Sequence, residues 1–248
     1  MTAPVFVVAS AQLAGDGPVV LDGPEGRHAA TVRRLTVGEP VDLTDGTGLV
    51  AHGRVVAVGR DRLEVSVERR SQSQAPHPRL VVVQALPKGD RGELAVEVMT
   101  EIGADVVVPW AAARCVTRWT GDRGEKALGR WRSTAREAAK QSRRAWFPEV
   151  AALATTPDVV SLLGGAALGL VLHEAADETL ADVAPPDSGA VVVVVGPEGG
   201  LTDDELAAFR AAGATAYRLG PTVLRTSTAG PAALAVLLSR TSRWRGAT

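Results

Sequence analysis

Residues 191–195 are five consecutive valines, followed at once by Gly196-Pro197-Glu198-Gly199-Gly200 and then by Leu201-Thr202-Asp203-Asp204-Glu205. A strand with one wet face alternates apolar and polar residues. An unbroken β-branched run has no face to offer water and needs cover on both sides. Helices flanking a mostly parallel sheet supply that cover, so the run predicts an α/β domain. The glycine-rich stretch predicts a strand-to-helix turn, and Thr202 and Glu205 stand at capping-box spacing. Ligands of open α/β sheets sit beyond the carboxyl ends of strands, which puts this turn where a binding loop belongs. Its spacing matches neither GxGxxG nor GxxxxGK[ST], so neither nucleotide class behind those patterns is supported. Pro197 stiffens the turn. On these residues alone, a purely structural turn and a ligand loop carry equal weight.

The rest of the chain divides in two. Before residue 70 it reads as short strands: Pro4 to Val8, Gly17 to Leu21, Glu39 to Leu43, Leu49 to Val58 and Arg62 to Val67, with a turn at Asp45-Gly46. One helical piece, Glu25 to Leu35, interrupts them. Strands this short and this evenly spaced predict a small β-barrel. Arg69 to Pro78 is polar, proline-bearing and aperiodic, a linker pattern. Beyond it strands and helices alternate. Strands are predicted at Leu80–Ala85, Asp105–Pro109, Leu168–Leu172, Val191–Val195 and Ala216–Leu219. Helices are predicted at Asp90–Ile102, Asp122–Ala145, Pro157–Leu163, Asp203–Ala212 and from Thr226 to about Arg240. Two domains follow, over 1–72 and 73–248. Aromatics are only 4% of the chain, so both cores must be aliphatic.

No stretch reaches the ~18 uninterrupted apolar residues of a membrane span. The first ten residues lack a secretory pattern, and the chain reads as cytoplasmic. The single cysteine, Cys115, rules out an internal disulfide and any cysteine-based metal cluster. His28, His52, His77 and His173 lack metal-ligand spacing, and no metal is expected.

Net charge is −1, but the average hides an asymmetry. From Arg114 to Glu149 the chain is +6, and elsewhere −7. Such an excess favours an anionic polymer, whose counterions each Lys or Arg releases; a solvated helix face with internal ion pairs is the alternative. Two further loops look chemically equipped. Leu219-Gly220-Pro221 leads through Leu224-Arg225 into a helix starting at Thr226–Thr228, whose hydroxyls can cap it and whose first turn tolerates Pro231. Leu172-His173-Glu174 puts a polar pair at another strand end.

Together these loops resemble those of RsmE-type 16S rRNA (uracil-N3)-methyltransferases, of the SPOUT class. The resemblance covers nearly the whole chain. It includes His28-Ala29-Ala30-Thr31-Val32-Arg33-Arg34, Gly38, Asp45-Gly46, Lys88-Gly89-Asp90 and Thr100-Glu101-Ile102-Gly103-Ala104. It continues through Glu137-Ala138-Ala139-Lys140-Gln141-Ser142-Arg143 to Gly196–Leu201, Leu219-Gly220 and Leu224-Arg225-Thr226. The pairing of GPEGG with LG…LRT is specific to the family.

The resemblance implies a PUA-like β-barrel followed by a SPOUT α/β domain with a C-terminal trefoil knot. It implies S-adenosylmethionine as cofactor, 16S rRNA or the small ribosomal subunit as partner, and a homodimer. The cofactor would be held by Leu172, His173 and Glu174, by Gly196, Pro197, Glu198, Gly199 and Gly200, and by Leu219, Gly220, Leu224, Thr226, Thr228 and Ala229. On chemical grounds Arg225 is expected to stabilise negative charge on the uracil; the general base stays open, with Glu198 and Glu174 as candidates by position. Arg33, Arg34, Arg136, Lys140, Arg143 and Arg144 are the expected RNA contacts. Two positions depart from the family pattern: Val5 stands where many members have Arg, and Ser227 where many have Glu. Other readings stay open: another SPOUT reaction such as 2′-O-methylation, a non-catalytic RNA-binding assembly factor, or a Rossmann oxidoreductase, the last disfavoured by the missing GxGxxG.

Overall fold

The computed structural model describes residues 3–245. The chain forms two compact units. The first comprises the residues up to Ala75 together with Ala139–Phe147, and the second Pro76–Ala138 with the remainder from Pro148.

The first unit is a five-stranded sheet on its own core. Strands β1 (Val5–Val7), β2 (Val19–Leu21), β3 (Pro40–Thr44), β4 (Leu49–Gly59) and β5 (Arg62–Gln72) pair in the order β1-β3-β4-β5-β2. Pairing is parallel between β1 and β3 and antiparallel elsewhere. The barrel expected from strand spacing appears as a curled sheet, with β1 and β2 at its two ends. Register shifts at His52/Gly53 and Val55/Ala57 bend the long β4–β5 ribbon, and Phe6, Leu13, Leu21, Val41, Leu43, Leu63 and Val65 fill the inside. Helix α1 (Ser10–Ala14) and helix α2 (Gly23–Arg27) are single turns.

Three expectations need correction in this unit. The helix predicted over 25–35 is α2 followed by a π-type turn, His28–Val32, and the left-handed backbone of Arg34 (φ 55°) stops it. The linker predicted from Arg69 begins inside β5, where Arg70 and Ser71 pair with Ala51 and Val50. The Arg70 guanidinium also donates to the Leu13 carbonyl, so strand polarity reflects ladder and side-chain partners rather than looseness. Finally, Ala139–Phe147 is packed with the first unit. Gly48 N donates to Ala145 O and Phe147 N to Gly46 O, both at 2.9 Å.

The second unit is a six-stranded, all-parallel sheet. Its elements run β6 (Arg79–Ala85), α3 (Arg91–Ile102), β7 (Val106–Trp110), α4 (Gly121–Gln141, its last three residues counted with the first unit), β8 (Glu149–Val150) and α5 (Thr156–Gly164). They continue with β9 (Leu168–Leu172), β10 (Ala190–Val195), α6 (Asp203–Ala211), β11 (Thr215–Tyr217), α7 (Thr226–Leu238) and α8 (Ser242–Arg245). Strand order is β11-β9-β10-β6-β7-β8. The valine run is β10, central and at most 2% exposed, as its lack of a polar face requires. No helix among the described residues is long and apolar enough to cross a membrane.

Helix α4 ends four residues before the predicted Ala145. Arg143 N bonds Lys140 O and Arg144 N bonds Ala139 O, a Schellman closure with Arg143 left-handed (φ 56°) where glycine is usual. In α7, Pro231 lies five residues past the start rather than in the first turn. Its ring leaves the Ser227 carbonyl without the helical N–H it would otherwise receive. The expected hydroxyl cap is absent as well: Arg225 is the N-cap and provides no side-chain bond.

Candidate functional site

A cavity of about 530 Å³ lies wholly within the second unit, beyond the carboxyl ends of β9, β10 and β11. Three loops build it, each fixed by its own chemistry. After β10, Gly200 N bonds Pro197 O, closing a tight turn that needs the positive φ (72°) of Gly200. The predicted capping box then starts α6: Glu205 Oε2 accepts from Thr202 N (2.9 Å) while Thr202 Oγ1 accepts from Glu205 N. Buried Glu205 does more than cap, because its Oε1 accepts from Ala113 N at 2.8 Å. Arg114 adds bonds to the carbonyls of Gly199 and Leu201. The loop after β7 therefore clasps the glycine-rich turn from outside.

After β9, His173 N bonds Tyr217 O, and His173 Nδ1 accepts from Ala175 N. Arg218 joins this loop to the end of β11 through its backbone bonds with Glu178 and Leu180 and its guanidinium bond to Ala176 O. After β11, residues 218–225 lead into α7. Fully buried Gln84, near the end of β6, donates from Nε2 to Thr226 O at 3.3 Å.

Most of the expected cofactor residues line this one cavity. Leu172, His173 and Glu174 come from the first loop; Gly196, Pro197, Glu198 and Gly200 from the second; Leu219, Gly220, Leu224, Thr226 and Ala229 from the third, where the expected catalytic Arg225 joins them. Two do not reach it. Gly199 faces Arg114, whose Cβ would stand 3.1 Å from any Cβ placed there. Thr228 is exposed and spends its hydroxyl on Arg225 O. The sequence reading missed Lys88, Arg91, Tyr217 and Arg218 on the wall; Lys88-Gly89-Asp90 carried a signal, the others none. Lys88 N donates to Glu198 Oε1 at 3.2 Å.

Two nearby groups are perturbed. Burial pushes the Tyr217 phenol up, with the Glu178 charge adding to it. Burial likewise pushes the Cys115 thiol up, against amides and the Arg118 charge. Cys115 is buried in the core of the second unit and lines neither the cleft nor its rim.

The expected RNA contacts divide. Arg33, Arg34 and Arg136 are exposed. Lys140 is buried in the first unit, with Nζ 3.1 and 3.2 Å from both carboxylate oxygens of Glu25. Arg143 bonds Ala3 O (2.6 Å) and stands 3.7 Å from Asp42, and Arg144 bonds Trp146 O. Lys140 is therefore corrected from an RNA contact to an internal ion-pair partner, and Arg143 and Arg144 are largely committed within the protein.

Residues 73–238 match the model of the RNA methyltransferase domain family, and residues 21–68 that of the RNA methyltransferase PUA domain. The ribosomal RNA small subunit methyltransferase E of Mycobacterium bovis is 51% identical over 230 residues, covering 91% of this chain and 87% of that protein. Its Bacillus subtilis counterpart is 27% identical, covering 91% of each. Among solved structures, the Neisseria gonorrhoeae methyltransferase E bound to S-adenosyl methionine superposes with a TM-score of 0.82 at 27% identity, over 96% of this chain and 98% of that one. A Legionella pneumophila methyltransferase in complex with the same cofactor gives 0.85 at 25% identity, over 97% and 99%. The three-loop cleft, the PUA-like first unit and the parallel sheet thus occur together with this likeness: the chain belongs to the ribosomal RNA small subunit methyltransferase E family.

Proposed function

We propose that this protein methylates N3 of one uridine in 16S rRNA, uracil 1498, using S-adenosylmethionine held in the cleft beyond β9, β10 and β11. The observation that carries the reading is the convergence of three family-specific loops on a single cavity. The cavity fits the cofactor's chemistry. Its volume lies in the ~300–1,000 Å³ range of small-molecule sites. Leu172, Val195, Leu201 and Leu219 offer apolar walls for a base, and Lys88, Arg91, Glu174 and Glu198 offer charges for an amino-acid tail. The loop following Val195 starts with a glycine, which lets backbone approach a ligand closely.

When bound, S-adenosylmethionine supplies an electrophilic methyl group on a sulfonium. The chain's own residues would prepare the nucleophile. N3 of uracil must lose its proton before or as the new carbon–nitrogen bond forms, leaving charge over the ring and its oxygens. Arg225, exposed at the mouth of α7, would set its guanidinium against that charge. Glu198 and Glu174 are both exposed in the cleft lining, and in this reading one of these carboxylates would receive the proton. The base itself must leave its stack to enter the cleft. The reading includes a trefoil knot and a homodimer. In support of the knot, β11 lies at one edge of the sheet while α7 packs back across β10, β6 and α3. In support of the dimer, Val223 and Leu224 form an exposed apolar lip that a partner would cover.

The test is to incubate the protein with labelled cofactor and unmodified small subunits, then map the methyl group by mass spectrometry. A methyl on uracil N3 is expected; ribose methylation or no transfer would refute it. Arg225→Ala should retain cofactor affinity while turnover falls ~10²–10³-fold, the loss typical of one transition-state donor. Full turnover would remove Arg225 from the chemistry.

A further inference from the structure

The second unit carries another cavity, of about 220 Å³, next to the cleft. Lys88 lines the cleft, whereas Pro87 and Gly89 line this second cavity. The loop leaving β6 therefore separates the two. Arg118, Arg123 and Arg130 stand in the wall of the second cavity beside Trp119 and Trp131. Its one acidic wall residue, Glu93, is bonded to Arg130 at 2.9 Å. Arg118 and Arg123 are exposed, and among the described residues no ion pair or hydrogen bond engages either guanidinium. The wall is left with two uncommitted cations.

The aromatic part is built rather than incidental. Trp119 and Trp131 meet edge to face, with centroids 5.0 Å apart and planes at 81°. Trp131 is buried and Trp119 partly exposed. Gly92 makes room for the pair, because a Cβ there would stand 2.7 Å from the Trp131 ring. Gly124 does the same for the Trp119 backbone, at 2.9 Å. Thr117 Oγ1 pins this segment to Pro87 O at 2.7 Å.

Charges needed for stability are usually consumed inside the protein, as Lys140 is by Glu25. Two uncommitted guanidiniums around a rigid indole have the composition of a single-stranded nucleic acid site, where cations follow phosphates and an aromatic ring stacks a base. The cavity is smaller than a ~300 Å³ small-molecule pocket, which suits part of a polymer rather than a whole free ligand.

We propose that this cavity is a subsite for a nucleotide of the single-stranded RNA flanking the target base, with Arg118 and Arg123 on phosphates and Trp119 against the base. The proposal rests on the methylation reading and adds to it the path of the strand, across the Pro87–Gly89 loop. Within the basic window Arg114–Glu149 it shifts the RNA contact from Lys140, Arg143 and Arg144 near the end of α4 to Arg118 and Arg123, in the segment preceding α4 and its first turn.

The test uses the full chain, a labelled single-stranded fragment of unmodified 16S rRNA for anisotropy, and calorimetry for S-adenosylmethionine. Arg118→Gln/Arg123→Gln should bind the RNA at least ~10-fold more weakly. Its salt slope should be shallower by about 1.4, two contacts at ~0.7 each for a single strand. KM for RNA should rise while kcat and cofactor affinity stay unchanged. Trp119→Phe should keep most of the RNA affinity and Trp119→Leu lose it, with circular dichroism confirming that both are folded. An unchanged slope and affinity in the double arginine variant would overturn the site. A wild-type protein that binds RNA but transfers no methyl group would overturn the functional reading and leave the subsite to be judged by the slope.

Discussion

Lys140 separates an RNA contact from an internal ion pair by measurement. Its side chain is 6% exposed and that of Glu25 is 16% exposed, with Nζ within 3.2 Å of both carboxylate oxygens. Removing one member of such a pair leaves the other charge less compensated in a desolvated site, at a cost of ~3–5 kcal/mol. Replacing both by apolar residues of similar volume is close to neutral. An exposed lysine serving RNA behaves oppositely: its loss changes stability by about 0.5 kcal/mol or less and flattens the RNA salt slope by about 0.7. Lys140→Met should therefore lower stability by at least ~3 kcal/mol. In urea this corresponds to a midpoint about 1–3 M lower for slopes of ~1–3 kcal/mol per M. Glu25→Leu/Lys140→Met should recover to within about 2 kcal/mol of the wild type, and the double-mutant cycle reads the coupling directly. The salt slope of RNA binding should be the same in every folded variant. A stable Lys140→Met protein with a shallower slope would refute the reasoning.

Burial pushes the Asp45 carboxyl up, but donation from Thr47, Ser10 and Leu49 outweighs it and holds the group below its ordinary 3.8. That contribution is complete above the unfolded value and fades as pH falls through the lower folded one. Asp45→Asn should thus flatten the acid limb of a stability–pH curve below about pH 4, and an unchanged limb would refute it. Glu205→Gln replaces an acceptor that serves both Thr202 N and Ala113 N with a group carrying N–H donors. It should cost about 1–3 kcal/mol in thermal melts and weaken cofactor binding through the loosened turn; retained affinity would disconnect Glu205 from the cleft. Gly92→Ala gains helix propensity worth ~1 kcal/mol but drives a methyl against Trp131. Net destabilisation of about 1–2 kcal/mol is expected, with a shift in tryptophan emission, and a stabilised variant would contradict the packing described.

What the sequence disclosed was local. Five adjacent valines have one physical solution, and β10 adopts it. Thr202 and Glu205 sit three residues apart, so their capping box could be read from spacing and was found in place. The same carboxylate's bond to Ala113 spans 92 positions, and the Arg114 clasp on Gly199 spans 85. No periodicity reports such contacts. In the sequence, Arg114 is only one charge in a basic window. Helical periodicity carries α4 to Ala145 because nothing about Arg143 announces a left-handed residue, as glycine would. Ala139–Phe147 joins the first unit through bonds to Gly46 and Gly48, partners nearly a hundred residues away. The resemblance implies Gly199 and Thr228 as cofactor residues along with the rest of their loops, yet neighbouring positions in a tight turn or first helical turn point in different directions, and these two do not line the cleft.

The position of both cavities follows from the strand order. From β6 the chain moves outward to β7 and β8 on one side, and from β10, which neighbours β6 on the other side, it moves outward past β9 to β11. Loops leaving β6 and its two neighbours therefore diverge, opening the crevice that doubly wound sheets use for ligands. The β6 loop stands in that crevice and is held from both sides: Lys88 N donates to Glu198 Oε1, and Thr117 Oγ1 donates to Pro87 O. One tether belongs to the cleft and the other to the second cavity. A loop pinned twice fixes the spacing between the two sites, as recognition of adjacent nucleotides on one strand requires. The wide window of positive charge read from sequence could not make this distinction. The decisive property is which guanidiniums the fold leaves uncommitted, and among the described residues no hydrogen bond or ion pair engages Arg118 or Arg123 beside the crevice.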